Sequence, residues 1–165
     1  MTNQGTPQAA VFDFVIPQGP TGTVPTPEFL TAYSTPSQPG TDGGNLIFDQ
    51  NGLSQGTAVT HATNSDQVVL NDPGFYTVSF HGTVAPADGG NFPLSIVLSL
   101  QQDGNPVPGA NVRNNFQTNL DTATYAFTQT VQAVSAPSTL TVEGQGGNFT
   151  YSNIALTARK VGDNP

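Results

Sequence analysis

The stretch that decides the fold is residues 70–101, LNDPGFYTVSFHGTVAPADGGNFPLSIVLSLQ. In its second half, apolar side chains occupy every second position, at Phe92, Leu94, Ile96, Leu98 and Leu100. In its first half, apolar and polar residues alternate in the same way around Tyr76, Val78 and Phe80. A period of two is typical of a strand with one buried face. The pattern predicts two strands of a half-buried antiparallel sheet, separated by a turn at Asp88-Gly89-Gly90.

Further short strands are predicted on both sides of this stretch, separated by turn signals such as Asn51-Gly52 and Asp103-Gly104. They cover residues 29–34, 46–48, 57–61, 67–70, 107–112, 124–133, 139–142 and 151–160. No helical period lasts two turns. Roughly eight to ten short strands with turns between them indicate an all-β, antiparallel two-sheet jelly-roll sandwich. An immunoglobulin-type sandwich is the alternative, although its cysteine and tryptophan signature is missing.

Composition excludes several classes of function. The chain of 165 residues is long enough for one domain and a tail. Its formal charge is −8 and only Arg113, Arg159 and Lys160 are positive, which disfavours nucleic acid and anionic membranes as partners. The absence of cysteine excludes disulfides and thiolate metal sites. No run is apolar enough to span a membrane, and the N-terminus does not read as a conventional signal peptide. We expect a protein that stays in the cell, leaves by assembly and lysis, or has lost a leader.

Residues 1–28 read differently from the rest of the chain. VFDFVI at residues 11–16 is a short apolar run stopped by Pro17, and a Pro/Gly-rich segment follows. Gly19-Pro20-Thr21-Gly22 has the spacing of one collagen triplet, although a triple helix needs many. We predict that residues 1–28 form an attachment arm and residues 29–165 a globular head. The arm residues predicted to make contact are Val11, Phe12, Phe14 and Ile16; a plain linker is the alternative.

Residues with catalytic or metal-binding chemistry are sparse. His61 and His81 lack a second histidine or a carboxylate at a metal-ligand spacing. No Gly-x-Ser-x-Gly motif is present. The acidic residues stand singly, mostly in turns. Asn64-Ser65-Asp66 and Asn71-Asp72 could supply oxygen ligands to calcium, but the sequence contains no EF-hand pattern. We predict a non-enzymatic protein with no catalytic residue, no metal site and no cofactor.

The order of several weak motifs carries a resemblance. An aromatic first strand contains Phe29 and Tyr33, and a G-x-Y-x-V-x-F strand runs from Gly74 to Phe80. A hairpin follows after Leu98 and Leu100, and the chain ends in YSNIALTARK at residues 151–160. This order resembles the complement-type globular head and tumour necrosis factor-like jelly-roll superfamily. It is most similar to the bacterial and phage branch that caps collagen-like proteins, such as the exosporium collagen-like glycoprotein of spores.

The resemblance implies a compact homotrimer in which aromatic residues of one sheet pack around the threefold axis. By analogy, the interface residues are Phe75, Tyr125, Phe149 and Tyr151. The alternative places these side chains in the core of a single chain. Phe75 is out of phase with Tyr76, so its side chain is expected on the opposite face of the strand, where a subunit interface would cover it.

These observations lead to an expected function. The chain reads as a trimeric structural protein on a virion surface, a phage fibre or head-decoration protein. Its partners would be two further copies and, through the arm, a capsid or other particle-surface protein. One alternative is the head of a bacterial collagen-like protein on a spore or cell surface. Another is an adhesion module that binds a host receptor or glycan, with Tyr33 or Phe116 in an exposed position to stack on a sugar.

Overall fold

The computed structural model describes Thr2–Asn3, Phe12–Asp13, Gly19 and residues 26–164. Within these residues the regular secondary structure is entirely β. The strands are β1 (Thr2–Asn3), β2 (Phe12–Asp13), β3 (Glu28–Ser34), β4 (Gln38–Gly40), β5 (Gly44–Asn45), β6 (Gln50–Gln55), β7 (Val59–His61), β8 (Val68–Leu70), β9 (Gly74–Pro86), β10 (Leu94–Gln102), β11 (Asn105–Phe116), β12 (Ala123–Ala133), β13 (Ser138–Gln145) and β14 (Phe149–Gly162). In this part of the chain no helix is long and apolar enough to cross a membrane.

Two six-stranded antiparallel sheets form the head. The first sheet has the order β12-β9-β14-β3-β6, and β4 pairs with β14. The second has the order β11-β10-β13-β8-β7, and β5 pairs with β13. In the N-terminal segment, β1 and β2 pair with each other in a small sheet of their own. The predicted antiparallel two-sheet jelly-roll sandwich is confirmed.

The two central strands do not share a sheet, which corrects the expectation of a single half-buried sheet. β9 pairs with β12 and β14, whereas β10 pairs with β11 and β13. Residues 87–93 therefore cross from one sheet to the other. Alternation along a strand shows that one face is buried but does not identify the neighbouring strand, so two strands that face each other across a core give the same pattern as a hairpin.

The core fills the space between the sheets. Alternate residues of β9, including Tyr76, Val78 and Phe80, are buried in one cluster with Ile96 and Leu98 of β10. The ring of Phe80 stacks on Phe127 at a centroid distance of 5.1 Å. Aromatic pairs of this kind stabilise a core beyond the effect of their buried area. Phe92 lies outside β10, although it packs against the same cluster.

A hydrogen-bonded histidine joins the edges of the two sheets. His61 of β7 is buried, and its Nδ1 lies 2.6 Å from Oδ1 of Asn51 in β6. The Nδ2 of Asn51 donates to the backbone carbonyl of His61 at 2.9 Å, and His61 Nε2 lies 3.1 Å from the carbonyl of Ser65. Because each ring nitrogen has a partner, His61 acts as a structural link between the sheets.

Candidate functional site: the outer face of the first sheet

The candidate site is the surface of the first sheet that points away from the core, here called the outer face. Side chains alternate along the four longest strands of this sheet, so every second residue points outward. The outer face consists of Phe29, Thr31, Tyr33, Phe75, Thr77, Ser79, His81, Thr83, Ala85, Thr124, Ala126, Thr128, Thr130, Gln132, Thr150, Ser152, Ala155, Thr157 and Arg159.

A row of hydroxyls crosses the middle of the outer face. The strand register places Thr31, Thr157, Ser79 and Thr128 side by side on β3, β14, β9 and β12. The hydroxyls of Thr31 and Thr157 are 2.8 Å apart, and those of Ser79 and Thr128 are 3.1 Å apart. A polar group that already has a partner costs less to remove from water than an unpaired one. This row can therefore be covered by another protein surface at a moderate cost.

The neighbouring row combines large and small side chains. Tyr33, Ala155, His81 and Ala126 lie side by side in the register. The hydroxyl of Tyr33 donates to Oε1 of Gln50 on β6 at 3.0 Å, which fixes the ring at the edge of the outer face. The two alanines flank the exposed His81 ring in the register. Small residues of this kind allow a second backbone to approach closely.

The outer face contains no acidic residue, although the chain has 11 Asp and Glu residues and a formal charge of −8. The members that can carry a positive charge are His81 and Arg159. Like charges across an interface repel each other, so copies of an acidic chain meet with least repulsion through a surface that lacks carboxylates. The charge distribution is therefore compatible with self-association through the outer face.

Of the four residues expected at a subunit interface, only Phe75 lies on the outer face. It is partly exposed, next to Gln132 in the register and 4.0 Å from the position of a Cβ on Gly162. Tyr125, Phe149 and Tyr151 are buried between the sheets, which is where the alternative placed them. A partner subunit can reach Phe75 but not these three side chains.

A β-bulge explains the positions of Phe149 and Tyr151. The register between β14 and β9 shifts between Ser152 and Ala155, and Asn153 has a φ of 49°. An extra residue in a strand reverses the phase of alternation. Tyr151 is therefore inward although Ile154, three residues later, is inward as well. If the alternation of residues 154–158 continued toward the N-terminus without the bulge, the side chain of Tyr151 would point outward.

The remaining predicted contact residues are only partly described. Phe12 belongs to β2, which pairs with Thr2–Asn3, and no side-chain contact is described for it. Val11, Phe14 and Ile16 lie outside the described residues. Within the described part of the chain, no group of three His, Cys, Asp or Glu side chains is arranged to hold a metal ion.

The candidate glycan-stacking residues are not both accessible. Phe116 ends β11 with an exposed fraction of 2%, so its ring cannot stack on a ligand. The loop that follows is held by Asp121, which accepts hydrogen bonds from the backbone N–H groups of Gln117 at 2.6 Å and Thr118 at 3.0 Å. These bonds lower the pKa of Asp121. Of the two rings, only that of Tyr33 has exposed surface on which a ligand could stack.

Sequence reasoning did not detect the hydroxyl row. Thr31, Ser79 and Thr157 are polar residues at alternate positions, and such a pattern reads equally well as a solvated face. The signal available in the sequence was the absence of Asp, Glu and Lys from the outward positions of several predicted strands. Charged residues are the usual way in which solvated strand faces keep proteins soluble.

Comparison with solved structures identifies the fold. No protein-family model and no curated protein matches the chain. Murine APRIL at pH 5.0 superposes with a TM-score of 0.65 at 12% identity, over 82% of this chain and 100% of that chain. Eiger TNF from S. frugiperda superposes with a TM-score of 0.64 at 9% identity, over 84% and 95%.

The fold is a tumour necrosis factor-like jelly roll. At identities this low, the similarity concerns the fold alone. The resemblance found in the sequence is thus supported as far as the jelly roll.

Buried tyrosines of this tumour necrosis factor-like jelly roll lead to a prediction about alkaline pH. Burial raises the pKa of Tyr76, Tyr125 and Tyr151 above the usual value of 10.0. A phenol whose pKa is higher in the folded than in the unfolded chain stabilises the fold below pH 10, and this stabilisation is lost as the pH rises further. We expect these phenols to ionise together with unfolding, measured as phenolate absorbance at 295 nm alongside far-UV circular dichroism. Tyr125→Phe should remove one phenolate from the coupled phase. Ionisation of all three before any loss of β-structure would contradict the prediction.

Proposed function

We propose that this chain is a non-enzymatic structural protein that forms a homotrimer through the outer face and is displayed on a particle surface. In this proposal residues 1–28 attach the protein to the particle, and the jelly-roll head points outward. The particle is a phage virion, on which the protein serves as a fibre or head-decoration protein. Its partners are two further copies and a particle-surface protein that receives the arm.

The observation that carries the proposal is the acid-free outer face of an acidic chain. Three copies carry a combined formal charge of −24, three times −8. Assembly through any carboxylate-bearing surface would bring these charges together. The outer face avoids this repulsion, and its hydroxyl row already makes hydrogen bonds within the chain. The partly exposed rings of Phe29, Tyr33 and Phe75 supply apolar area that association would remove from water.

The fold supports the trimer, because tumour necrosis factor-like folds are commonly homotrimers. The particle setting is supported by sequence only. The collagen-like spacing at Gly19-Pro20-Thr21-Gly22 favours a second candidate, the head of a bacterial collagen-like protein on a spore or cell surface. A glycan-binding role has less support, because Phe116 is buried.

Two measurements test the proposal. Light scattering of the full chain should give three times the single-chain mass of 17.1 kDa. The mass of a single chain at micromolar concentration would refute the trimer. Deleting residues 1–26 in the source organism should then remove the protein from purified virions, while the purified variant stays trimeric. Retention on virions would show that the head itself attaches, and presence on spores instead of virions would favour the second candidate.

A further inference from the structure

A groove of 570 Å³ opens at the end of the first sheet where β3 begins and β14 ends. It is lined by residues 26–28 at the start of β3 and by residues 159–163 at the end of β14. We call it the terminal groove. Its apolar surface comes from Pro27 and Val161, and Val161 is 55% exposed. Val161 thus offers apolar surface within the groove to a segment that carries apolar side chains.

One cation in the terminal groove has no carboxylate partner among the described residues. Glu28 accepts a hydrogen bond from the backbone N–H of Ala58 at 2.7 Å, and Lys160 lies 2.7 Å from Asp163. Arg159 is exposed, and no carboxylate of the described residues lies within 4.0 Å of it. Its guanidinium is therefore available to a negatively charged ligand.

The N-terminal arm contains a segment with the matching chemistry. Residues 11–16, VFDFVI, are the most apolar stretch of the segment 1–27. Asp13, near the centre of this stretch, carries the only charged side chain between positions 1 and 27. An apolar segment with one carboxylate complements a groove with an exposed valine and an exposed guanidinium.

The arm is also long enough to reach the groove. Residues 17–25 separate the segment from Thr26, which lines the groove. Nine extended residues span about 30 Å, so the chain can turn back and place residues 11–16 beside Arg159. A short tether raises the effective concentration of a segment near its own chain to the millimolar range, which favours the groove of the same chain over that of another copy.

We propose that residues 11–16 of the arm dock in the terminal groove of their own chain, with the Asp13 carboxylate on the Arg159 guanidinium and the apolar side chains against Val161. The docked segment shields these apolar residues from water in the free protein. Attachment to a particle then requires the segment to leave the groove. The inference concerns the free protein, and its test needs neither the trimer nor a particle.

The absence of cysteine makes disulfide trapping in the full chain a clean test. Phe14→Cys combined with Val161→Cys should form an intrachain disulfide at least tenfold faster than Phe14→Cys combined with Leu120→Cys. Leu120 is a matched control, because it is 86% exposed and its loop precedes β12 at the opposite end of the sheet. Equal rates in the two variants, or a disulfide that forms only between chains, would overturn the proposal.

Charge reversal tests the predicted ion pair in the same trapping assay. Arg159→Asp should slow the formation of the 14–161 disulfide several-fold, and adding Asp13→Arg should restore the rate. Trapping that is insensitive to both changes would refute the Asp13–Arg159 contact. Melting temperatures of the cysteine variants, measured by circular dichroism, should stay close to that of the parent, because Val161 and Leu120 are exposed and do not belong to the outer face.

Discussion

Phe75→Asp is expected to convert the proposed trimer into a folded monomer with the single-chain mass of 17.1 kDa. Phe75 lies on the outer face, next to Gln132 in the register, and it does not belong to the core cluster. Its replacement would place three carboxylates close together around one axis and remove three rings from the contact. Burying an unpaired charge costs several kcal/mol per ion, so three of them at one axis would shift the equilibrium strongly toward the monomer.

Light scattering of the wild type and the variant at the same concentration would measure the change in mass. Thr141→Asp is a matched control, because Thr141 is partly exposed on the outward surface of β13 in the second sheet and its replacement adds the same charge there. It should remain a trimer. A folded Phe75→Asp variant that is still fully trimeric would exclude Phe75 from the interface.

The second large effect is expected at Phe149, whose ring packs between two glycines. A Cβ added at Gly40 of β4 or at Gly144 of β13 would collide with the Phe149 ring. β4 belongs to the first sheet and β13 to the second, so the ring fills a site where the two sheets meet. Phe149→Ala should lower the free energy of unfolding by about 3–5 kcal/mol, as expected for the removal of a buried phenylalanine.

A double-mutant cycle with Gly144→Ala tests this contact specifically. Gly144→Ala alone should destabilise the chain by about 1–3 kcal/mol, because the added methyl group overpacks the site. In the Phe149→Ala background the same change should cost much less, since the ring with which the methyl collides is absent. The measurement is urea unfolding of all four variants. If the effects of the two substitutions on the free energy of unfolding were additive, the Phe149 ring would not be the source of the cost of the added methyl group.

Most of the fold could be predicted from local patterns. The alternation in β9 and β10 and the Asp103-Gly104 turn were sufficient for an all-β sandwich, and Asp103 and Gly104 do adopt positive φ values of 51° and 76°. Strand pairing could not be predicted, because residues 87–93 look like a long hairpin loop as well as a crossover. The residues of the candidate site were harder to predict, because the bulge at Asn153 reverses the face of the sheet to which the Tyr151 side chain points.

The position of β14 has a consequence for how the chain folds during synthesis. β14, the last of the described strands along the chain, lies between β9 and β3 in the middle of the first sheet. Until residues 149–162 have left the ribosome, β3 has no partner on that side and β9 presents an unpaired edge. Such edges are templates for pairing with other chains. The growing chain is therefore most prone to aggregate just before residues 149–162 emerge from the ribosome, and chaperone binding should be strongest at that stage.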